Sequence, residues 1–405
     1  MDKVRLAYIV SHPIQYQAPL LQRISQEPDI DLTVFFGSDF SLRGYKDEGF
    51  GVSVKWDTPL LNGYRYEFLP KLRDTNTASI TSPLNTGIAS RLRGDRGEGG
   101  FDALWVHGYS TVNAIHAMAA AKAFGIPVLL RAESWLQDRT RSSIKLAAKR
   151  LFFKVLEQFV DVVLPIGTFN ADYWRHYFGP DFPMFLMPYA VDNEYFHQRS
   201  IDAREGRRAL QEELKLDPSR AVILFASKLQ TRKRCGDLLE AYKNLLSTIS
   251  VEMHPHLVIV GDGEDRVELE RRAKEDNLIG VRFCGFKNQS ELPRFFDLAT
   301  VFVLPSQHEP WGLIVNEVMN AARAVIVSDD VGCQPDLIRD GIEGYVFPVG
   351  DTHALTDALR RVLATPETSV RMGQNALARI QEWSFAEDVR SLREALAAVT
   401  RKIPA

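Results

Sequence analysis

Cysteine is scarce in this sequence, with three residues among 405: Cys235, Cys284 and Cys333. They lie far apart, without the CxxC spacing of zinc and redox motifs and without the density of a small secreted disulfide scaffold. We therefore expect reduced thiols in a cytosolic protein, and no structural zinc site.

Long uncharged apolar runs are also absent. No stretch approaches the roughly 18 residues that a membrane span needs, and the chain enters a strand-like segment at Val4 without the features of a signal peptide. We expect a cytoplasmic protein, at most peripheral on the inner face of the plasma membrane.

Neither sign of charge is in large excess. Lys and Arg total 49 against 52 for Asp and Glu, a net charge of −3, so the chain lacks the electrostatic footprint of wholesale nucleic-acid binding. A composition of 45% hydrophobic and 25% charged residues excludes bulk disorder. At this length, two or three domains are expected.

Short apolar runs alternate with amphipathic helical windows along both halves of the chain. Strands covered by helices on both faces read as continuous apolar runs, so the pattern predicts parallel α/β sheets. The predicted strands are Val4–Val10, 31–36, 103–106, Val128–Arg131 and 160–165 in the first half, and Val222–Ala226, 257–261, 281–284, Val301–Leu304, 324–327 and 345–347 in the second.

A polar, charge-rich segment near the middle of the chain predicts an interdomain linker over 193–212. It separates an N-terminal domain, 1–192, from a C-terminal domain, 213–380. Ser384 and Glu387 have capping-box spacing at the start of a final helix within 381–405. The expected fold is α/β, with two Rossmann-like doubly wound sheets on either side of a ligand cleft.

The most informative motif follows the predicted strand Val301–Leu304. Glu309 falls in the loop beyond the carboxyl end of the strand, Gly312 allows close backbone approach, and Glu317 lies in the next helix. Amides at a helix start favour negative charge, and a carboxylate accepts paired hydroxyls such as a ribose diol. The residues predicted to contact a ligand here are Glu309, Trp311, Gly312, Leu313, Ile314 and Glu317.

A second motif follows the strand Val222–Ala226 and gathers four cations, Lys228, Arg232, Lys233 and Arg234. Such a cluster is mutually repulsive without an anion, and a diphosphate would supply one. A solvated basic loop is the alternative. Gly263 lies in a GxG turn after the next strand, a pattern that indicates a tight turn first and ligand contact by Gly263 second.

Together these residues resemble the retaining GT-B glycosyltransferases of family 4, and the resemblance extends over 221–399. It implies that Glu309 lies near the donor sugar hydroxyls and Glu317 on the nucleotide ribose, as the family's E-x7-E pair. It also implies that Lys228 and Lys233 bind the phosphates and that Phe286, after Gly285, contacts the base. The C-terminal helix would cross back to the N-terminal domain, and no bound metal or cofactor is expected, with a nucleoside-diphosphate sugar as donor substrate.

The N-terminal half departs from the family pattern. Residues 11–17 replace the glycine pair of many relatives, and Glu133 stands where many relatives place a histidine that contacts the donor sugar. Glu133 can accept a hydrogen bond from the same hydroxyl but cannot donate one. His12, His107 and His116 are alternative imidazoles, of which His12 follows a strand end and His116 is more typical of a structural residue.

A basic helix is predicted around 139–154. At 3.6 residues per turn, Ile144, Ala148, Leu151, Val155 and Phe159 would form its core face. Leu146 and Phe153 would lie on the opposite face among Lys145, Lys149 and Arg150, and an apolar pair inside a basic face suggests contact with an anionic membrane surface or a lipid-linked acceptor. A solvated helix with Phe153 covered by a neighbouring loop is the alternative.

The resemblance therefore implies a metal-independent hexosyltransferase that moves a sugar, with retention, to a hydroxyl of a glycan or lipid-linked acceptor in surface polysaccharide or glycolipid synthesis. Two other functions fit the same pattern: a nucleotide-sugar epimerase, and a non-catalytic nucleotide-sugar-binding subunit.

Overall fold

The computed structural model describes residues 3–43, 45–46, 49, 51, 53–75, 77–94, 100–136 and 143–400. Its strands are β1 (Val4–Val10), β2 (Ile30–Phe36), β3 (Tyr45–Lys46), β4 (Ser53–Val54), β5 (Arg65–Phe68), β6 (Lys71–Arg73), β7 (Leu84–Asn85), β8 (Ala103–His107), β9 (Val128–Arg131), β10 (Val162–Val163), β11 (Val222–Ala226), β12 (His256–Val260), β13 (Val281–Phe283), β14 (Val301–Leu304), β15 (Ala324–Ser328) and β16 (Gly344–Phe347).

Helices connect most of the strands, as a parallel α/β fold requires. They are α1 (Ala18–Ser25), α2 (Ile88–Arg93), α3 (Val112–Ala123), α4 (Ser143–Leu156), α5 (Thr168–Phe178), α6 (Asn193–Asp202), α7 (Arg207–Glu213), α8 (Cys235–Leu246), α9 (Arg266–Glu275), α10 (Leu292–Leu298), α11 (Leu313–Met319), α12 (Gln334–Leu337), α13 (Thr352–Val362), α14 (Pro366–Gln381) and α15 (Phe385–Val399).

The chain forms two compact units. The first comprises 1–45, 58–189 and 385–405, and the second comprises 46–57 and 190–384. The segment predicted to be a linker is helical instead: α6 and α7 pack against α10 inside the second unit. Arg207 on α7 forms an ion pair with the buried Asp297 on α10, which ties this segment to that unit.

The first unit has a six-stranded sheet in the order β10-β9-β8-β1-β2-β5, and every pairing is parallel. One face of the sheet is covered by a cluster that includes Ala117, Met118 and Phe153. The other face is covered by a cluster that includes Leu392 and Leu396 of α15. The C-terminal helix therefore packs on the N-terminal sheet, as the resemblance implied.

The second unit has a six-stranded parallel sheet in the order β13-β12-β11-β14-β15-β16. All residues of β11, β12, β14 and β15 are buried, as the continuous apolar runs predicted. Both units thus have Rossmann-like doubly wound sheets, and in each the strand order reverses at a central pair of strands. Among the described helices, none has the length and apolar character needed to cross a bilayer.

Helix α4 does not pack through its predicted core face, while Leu146, predicted to be on the surface, is 39% exposed. Ile144, Leu151 and Val155, predicted to be core, are 80%, 66% and 50% exposed. Phe153, predicted to be on the surface, is buried in the first unit and stacks on Tyr177. The prediction of Phe153 as a membrane or acceptor contact is therefore wrong, because an aromatic cluster from α5 encloses it.

Candidate active site

The reversal of strand order in the second sheet lies between β11 and β14. In doubly wound sheets, the loops that leave the carboxyl ends of the two strands at such a point diverge and open a ligand crevice. The basic loop follows β11 and the Glu309 loop follows β14, so the two motifs found in the sequence meet at this point.

A backbone hydrogen bond and two charged side-chain contacts join the basic loop to the Glu309 loop. The Gln307 amide donates to the Arg232 carbonyl oxygen over 2.7 Å. The Lys233 ammonium donates to Oε2 of Glu309, and the Arg232 guanidinium lies 3.7 Å from the same oxygen. Two cations from one loop therefore surround a single carboxylate from the other.

Lys233 is buried, with a side chain 9% exposed. Burial lowers its pKa, and the nearby charges of Arg232 and Lys228 lower it further, whereas Glu309 opposes the shift. Cations held this close to one another favour the arrival of a further anion. Arg234 belongs to the same loop, but its guanidinium forms an ion pair with Asp237 at the start of α8.

Gly312 begins α11 with a φ of +92°, a conformation that side chains rarely adopt. A Cβ there would also lie 3.0 Å from Leu304 and 3.2 Å from Val331. Trp311 is buried, donates its indole N–H to Asn316 and stacks on Trp383. Trp311 thus fixes the entry to α11.

The amides of Leu313 and Ile314 form the first turn of α11, where backbone N–H groups have no intrahelical acceptor. They lie directly after Gly312, at the position that the sequence predicted.

Glu317 on α11 is buried, and its Oε2 has no hydrogen-bond partner among the described residues. Burial raises its pKa to about 8, against a small opposing effect of a hydrogen bond from Gln289. An unpaired buried carboxyl oxygen is costly, and a hydroxyl donor from a ligand would satisfy it.

The segment that contains Phe286 lies next to Glu317 through the Gln289 hydrogen bond. The Phe286 ring contacts Trp56 edge to face at 6.4 Å, and the Lys55 carbonyl oxygen accepts from Asn288. Sequence reasoning missed Trp56, because it is more than 200 positions away and no local pattern singles it out.

Gly261 and Gly263 serve close packing. Their φ values are +134° and +155°, and a Cβ at Gly263 would lie 2.3 Å from the Leu229 carbonyl oxygen. The Leu229 amide donates to the Asp262 carbonyl oxygen, so this turn supports the basic loop. These contacts explain the glycine at position 263 as part of a tight turn. Its contact with a ligand stays a prediction.

The first sheet reverses its strand order between β1 and β8, and a polar cluster lies at their carboxyl ends. Glu133 Oε1 accepts hydrogen bonds from the hydroxyls of Tyr16 and Tyr189 and lies 3.6 Å from Nε2 of His107. The Gln17 amide nitrogen contacts the same imidazole. We refer to Tyr16, Gln17, His107, Glu133 and Tyr189 as the Glu133 cluster.

The Glu133 carboxylate is held in its ionised form. Burial alone would raise its pKa, but the contact with His107 and the two tyrosine hydroxyls lower it to about 2. Sequence reasoning missed Tyr16, Gln17 and Tyr189. Tyr16 and Gln17 lie in the segment after β1 that departs from the family pattern, and this departure could have identified them as candidates. No sequence feature singles out Tyr189.

The three alternative histidines lie in different settings. His12 is half-buried, bonds to Ser11 and has its pKa lowered to about 4 by burial and by the charge of His107. His107 belongs to the Glu133 cluster, and His116 is exposed on α3.

Of the basic residues predicted to be a surface on α4, Lys145 and Arg150 are exposed. Lys149 is half-buried, with its ammonium over the rings of Tyr173 and Tyr177 at 4.6 and 4.8 Å. Arg139 and Arg141, in the segment before the helix, lie outside the described residues.

Comparison with known proteins agrees with this geometry. Residues 206–379 match the family model of glycosyl transferases group 1. The chain is 33% identical over 185 residues to an alpha-D-kanosaminyltransferase of Streptomyces kanamyceticus, a match that spans 44% of this chain and 45% of that protein. It is 25% identical over 344 residues to an alpha-maltose-1-phosphate synthase of Mycobacterium tuberculosis, spanning 81% of this chain and 85% of that one.

Among solved structures, the HepE protein of Anabaena in complex with UDP is similar, with a TM-score of 0.71 and 14% identity over 98% of this chain and 100% of that chain. At this identity the likeness concerns the fold. Residues 206–379 are therefore similar to the group 1 glycosyl transferases, and the chain as a whole has the GT-B fold of two Rossmann-like units.

Proposed function

We propose that this protein is a retaining glycosyltransferase of family 4 that moves a hexosyl group from a nucleoside-diphosphate sugar to a hydroxyl of a glycan or lipid-linked acceptor. The observation that carries the proposal is the contact of Lys233 and Arg232 with Glu309 at the reversal of strand order in the second sheet. It supports the proposal because two cations, which would suit a diphosphate, lie beside a carboxylate, which would suit a sugar hydroxyl.

In this proposal the basic loop binds the diphosphate through Lys228, Arg232 and Lys233. The transition state of glycosyl transfer develops negative charge on the departing diphosphate, so these cations stabilise it more than the ground state. Protein cations take the place that a divalent metal holds in other transferases, and activity should survive chelation of metals. The half-exposed Arg232 can turn toward the ligand without loss of core packing.

Glu317 binds the ribose diol, because the unpaired Oε2 needs a donor that the described residues do not supply. Phe286 contacts the base, and the backbone of Gly312, Leu313 and Ile314 approaches the phosphates and sugar. Trp311 acts by fixing the start of α11.

Glu309 orients the donor sugar. Its Oε2 is paired with Lys233, whereas Oε1 accepts no hydrogen bond from the described residues and is free to bind a sugar hydroxyl. In the first unit, Glu133 and His12 remain the candidates for the role of the family histidine. Glu133 has the better-defined position, since two tyrosine hydroxyls and His107 hold it.

The names of similar proteins support transfer from a nucleotide sugar. One relative is a kanosaminyltransferase, and the HepE structure holds UDP. A glycosyltransferase activity for this chain is consistent with both.

We further propose that the acceptor is reached at an anionic membrane surface. Helix α4 exposes Ile144, Leu151 and Val155, and every charged residue within Ser143–Leu156 is a lysine or arginine. Apolar side chains flanked by cations are typical of helices that bind anionic lipid headgroups. The surface differs from the one predicted from sequence, because Phe153 is buried and the opposite stripe is exposed.

The proposed function is tested by thermal unfolding with a panel of nucleoside diphosphates. A ligand present at a hundred times its dissociation constant raises the free energy of unfolding of the protein by about 2.7 kcal/mol. We expect one diphosphate to raise the Tm of the wild type and of Lys243→Ala, an exposed lysine paired with Asp276. The Lys233→Ala variant should lose this shift, and an equal shift in all three proteins would contradict the proposal.

A further inference from the structure

We infer that Asp330 is a positioning residue for Glu309: it holds the preceding residue, His308, in a left-handed backbone conformation and so keeps the Glu309 carboxylate against Lys233. The inference rests on the proposed function, because it makes the placement of Glu309 a condition for transfer. Asp330 acts through Glu309 and is assigned no contact with the ligand.

The main chain of Glu309 is bonded on both sides to the segment that follows β15. The Glu309 amide donates to the Asp330 carbonyl oxygen over 3.2 Å, and the Glu309 carbonyl oxygen accepts from the Gly332 amide over 2.8 Å. Glu309 and Val331 lie side by side as a parallel bridge. The loop after β14 and the segment after β15 are therefore joined at Glu309 itself.

The same two segments approach closely just beyond Glu309. A Cβ at Gly332 would lie 1.9 Å from the Pro310 carbonyl oxygen, so no side chain fits there. The Cys333 amide donates to the Trp311 carbonyl oxygen over 3.0 Å. The backbone on the C-terminal side of Glu309 is thus fixed as far as the entry to α11.

On the other side of Glu309, the backbone of His308 is strained. Its φ is +53°, in the left-handed region that a residue with a Cβ seldom adopts. Such conformations persist where the surrounding structure holds them, and they are concentrated at functional sites. The residue directly before Glu309 therefore depends on its contacts to keep its conformation.

The Asp330 carboxylate supplies two of these contacts. Its Oδ2 accepts a hydrogen bond from the His308 amide over 2.8 Å and lies 3.3 Å from Nδ1 of the same residue. The Asp330 side chain is 10% exposed, so water competes little for this oxygen. One carboxylate thus holds both the backbone and the ring of His308.

The charge of Asp330 is part of this arrangement. Burial raises the pKa of Asp330, whereas the hydrogen bond from the His308 amide and the charge of the His308 ring lower it. A hydrogen bond to an ionised carboxylate is roughly twice as strong as one between neutral groups. Removing the carboxylate would release His308 from the left-handed region.

Rotation of His308 out of this region would turn the chain immediately before Glu309. The Glu309 carboxylate would then move away from Lys233, with which it is paired, and away from the sugar that it is proposed to orient. A displacement of about 1 Å in a catalytic site can cost about a hundredfold in rate. Binding of a nucleoside diphosphate depends on the cations of the basic loop and should change much less.

Asp329 offers a matched control, since it is the neighbour of Asp330 in the chain. It is exposed, and its carboxylate accepts from the Val349 amide over 2.8 Å, on the β16 side of the segment. Its removal should leave the bonds between Asp330 and the Glu309 loop unchanged.

Crystal structures of Asp330→Ala and Asp329→Ala measure the position of Glu309 directly. In Asp330→Ala we expect a negative φ at His308 and loss of the contact between Glu309 and Lys233, whereas Asp329→Ala should keep the wild-type geometry. Turnover of UDP-, GDP- and TDP-hexoses with methyl glycosides as acceptors should show kcat lowered by roughly ten- to hundredfold in Asp330→Ala. The dissociation constant of the nucleoside diphosphate should stay within about twofold of the wild-type value.

Two further variants separate positioning from a purely structural role. Asp330→Asn, whose amide oxygen can still accept from the His308 amide, should retain most of kcat. Glycine adopts the left-handed region freely, so His308→Gly added to Asp330→Ala should restore part of the lost kcat. A role of Asp330 in stability alone would not give this recovery of turnover.

His308→Val replaces Asp330→Ala if the latter does not fold. Valine is seldom left-handed, so this variant should displace Glu309 and lower kcat with Asp330 intact. Glu309 in its wild-type position in both variants, or a wild-type kcat where Glu309 has moved, would overturn the inference. Failure of the wild type to consume any nucleotide sugar would instead contradict the proposed function, so the two failures are distinguishable.

Discussion

The buried ammonium group of Lys233 contacts the carboxylate of Glu309, although 76 positions separate the two residues in the chain. Each residue lies in a loop that follows one of two neighbouring central strands, β11 for Lys233 and β14 for Glu309. This pair joins the two motifs of the sequence, and it makes the effects of changing either residue predictable.

Lys233→Ala removes one member of a buried ion pair and leaves the Glu309 carboxylate without its closest partner. Loss of one member of such a pair costs about 3–5 kcal/mol. We expect a lower free energy of unfolding and a loss of nucleoside-diphosphate binding of at least about tenfold. Urea unfolding and calorimetric titration measure the two effects, and Lys243→Ala is the matched control.

Substitutions of Glu309 and Glu317 should have different effects on ligand binding and turnover. Glu309→Ala frees Lys233 for the diphosphate, so nucleoside-diphosphate affinity should stay the same or rise while turnover falls. Glu317→Ala removes the acceptor for the ribose diol and should weaken the nucleoside diphosphate and the nucleotide sugar alike. Calorimetric titrations that give the two variants the same loss of diphosphate affinity would contradict this division.

The buried carboxyl of Glu317 should make stability depend on pH. Its pKa is raised by burial to about 8, above the unfolded value of 4.5, so the folded state holds the proton over a wider range of pH. The stability contribution is present below pH 4.5 and is lost as the pH rises toward 8, by at most about 1.4 kcal/mol per pH unit. Glu317→Gln should remove this loss, which urea unfolding from pH 5 to 8 would reveal as a widening advantage of the variant.

His12 should titrate far below an ordinary histidine. Burial lowers its pKa from 6.5 to about 4, with a smaller effect of the His107 charge. Because the folded pKa is depressed, the folded state loses stability as the pH falls from 6.5 toward 4. NMR of the imidazole protons, assigned with His12→Gln, should give a midpoint near pH 4, and a midpoint near 6.5 would show an exposed ring.

The two faces of α4 should respond differently to substitution. Phe153→Ala should cost about 3–5 kcal/mol of folding free energy, because its ring is buried among aromatic side chains. Leu151→Ser should change stability by no more than about 0.5 kcal/mol. If α4 binds membranes, Leu151→Ser combined with Lys154→Glu should also abolish sedimentation with acidic liposomes at low salt.

A matched control for the liposome experiment is Val267→Ser, since Val267 is 79% exposed on α9 of the other unit. It should sediment like the wild type. Equal sedimentation of all variants, or none by the wild type, would show that the exposed stripe of α4 has another use.

Much of the fold was predictable because buried parallel strands have a distinctive pattern. The runs Val222–Ala226 and Val301–Leu304 appear in the structure with the predicted bounds. Their following loops carry the two motifs, so the position of the candidate donor site follows from local sequence and the rule of strand reversal. Segments such as β5, which lies at the edge of the first sheet, have no such apolar run and were not predicted.

The remaining features depend on contacts distant in sequence. The apolar stripe of α4 was predicted to be its core face, which is wrong, because periodicity does not specify which side of a helix faces the core. Tyr173 and Tyr177 of α5 enclose Phe153 and Lys149, which turns the predicted stripe outward. Likewise, Trp56 reaches Phe286, and Tyr189 reaches Glu133, only through the tertiary structure.

Retaining transfer to an acceptor can be followed by NMR of the protein with a panel of nucleotide sugars, in the presence and absence of methyl glycosides. We expect nucleoside diphosphate to be released only when an acceptor is present, with a product whose anomeric configuration equals that of the donor. An isomerised donor formed without acceptor would indicate an epimerase, and binding without consumption would indicate a non-catalytic subunit. Either result, or a product of inverted configuration, would rule out retaining transfer by this protein.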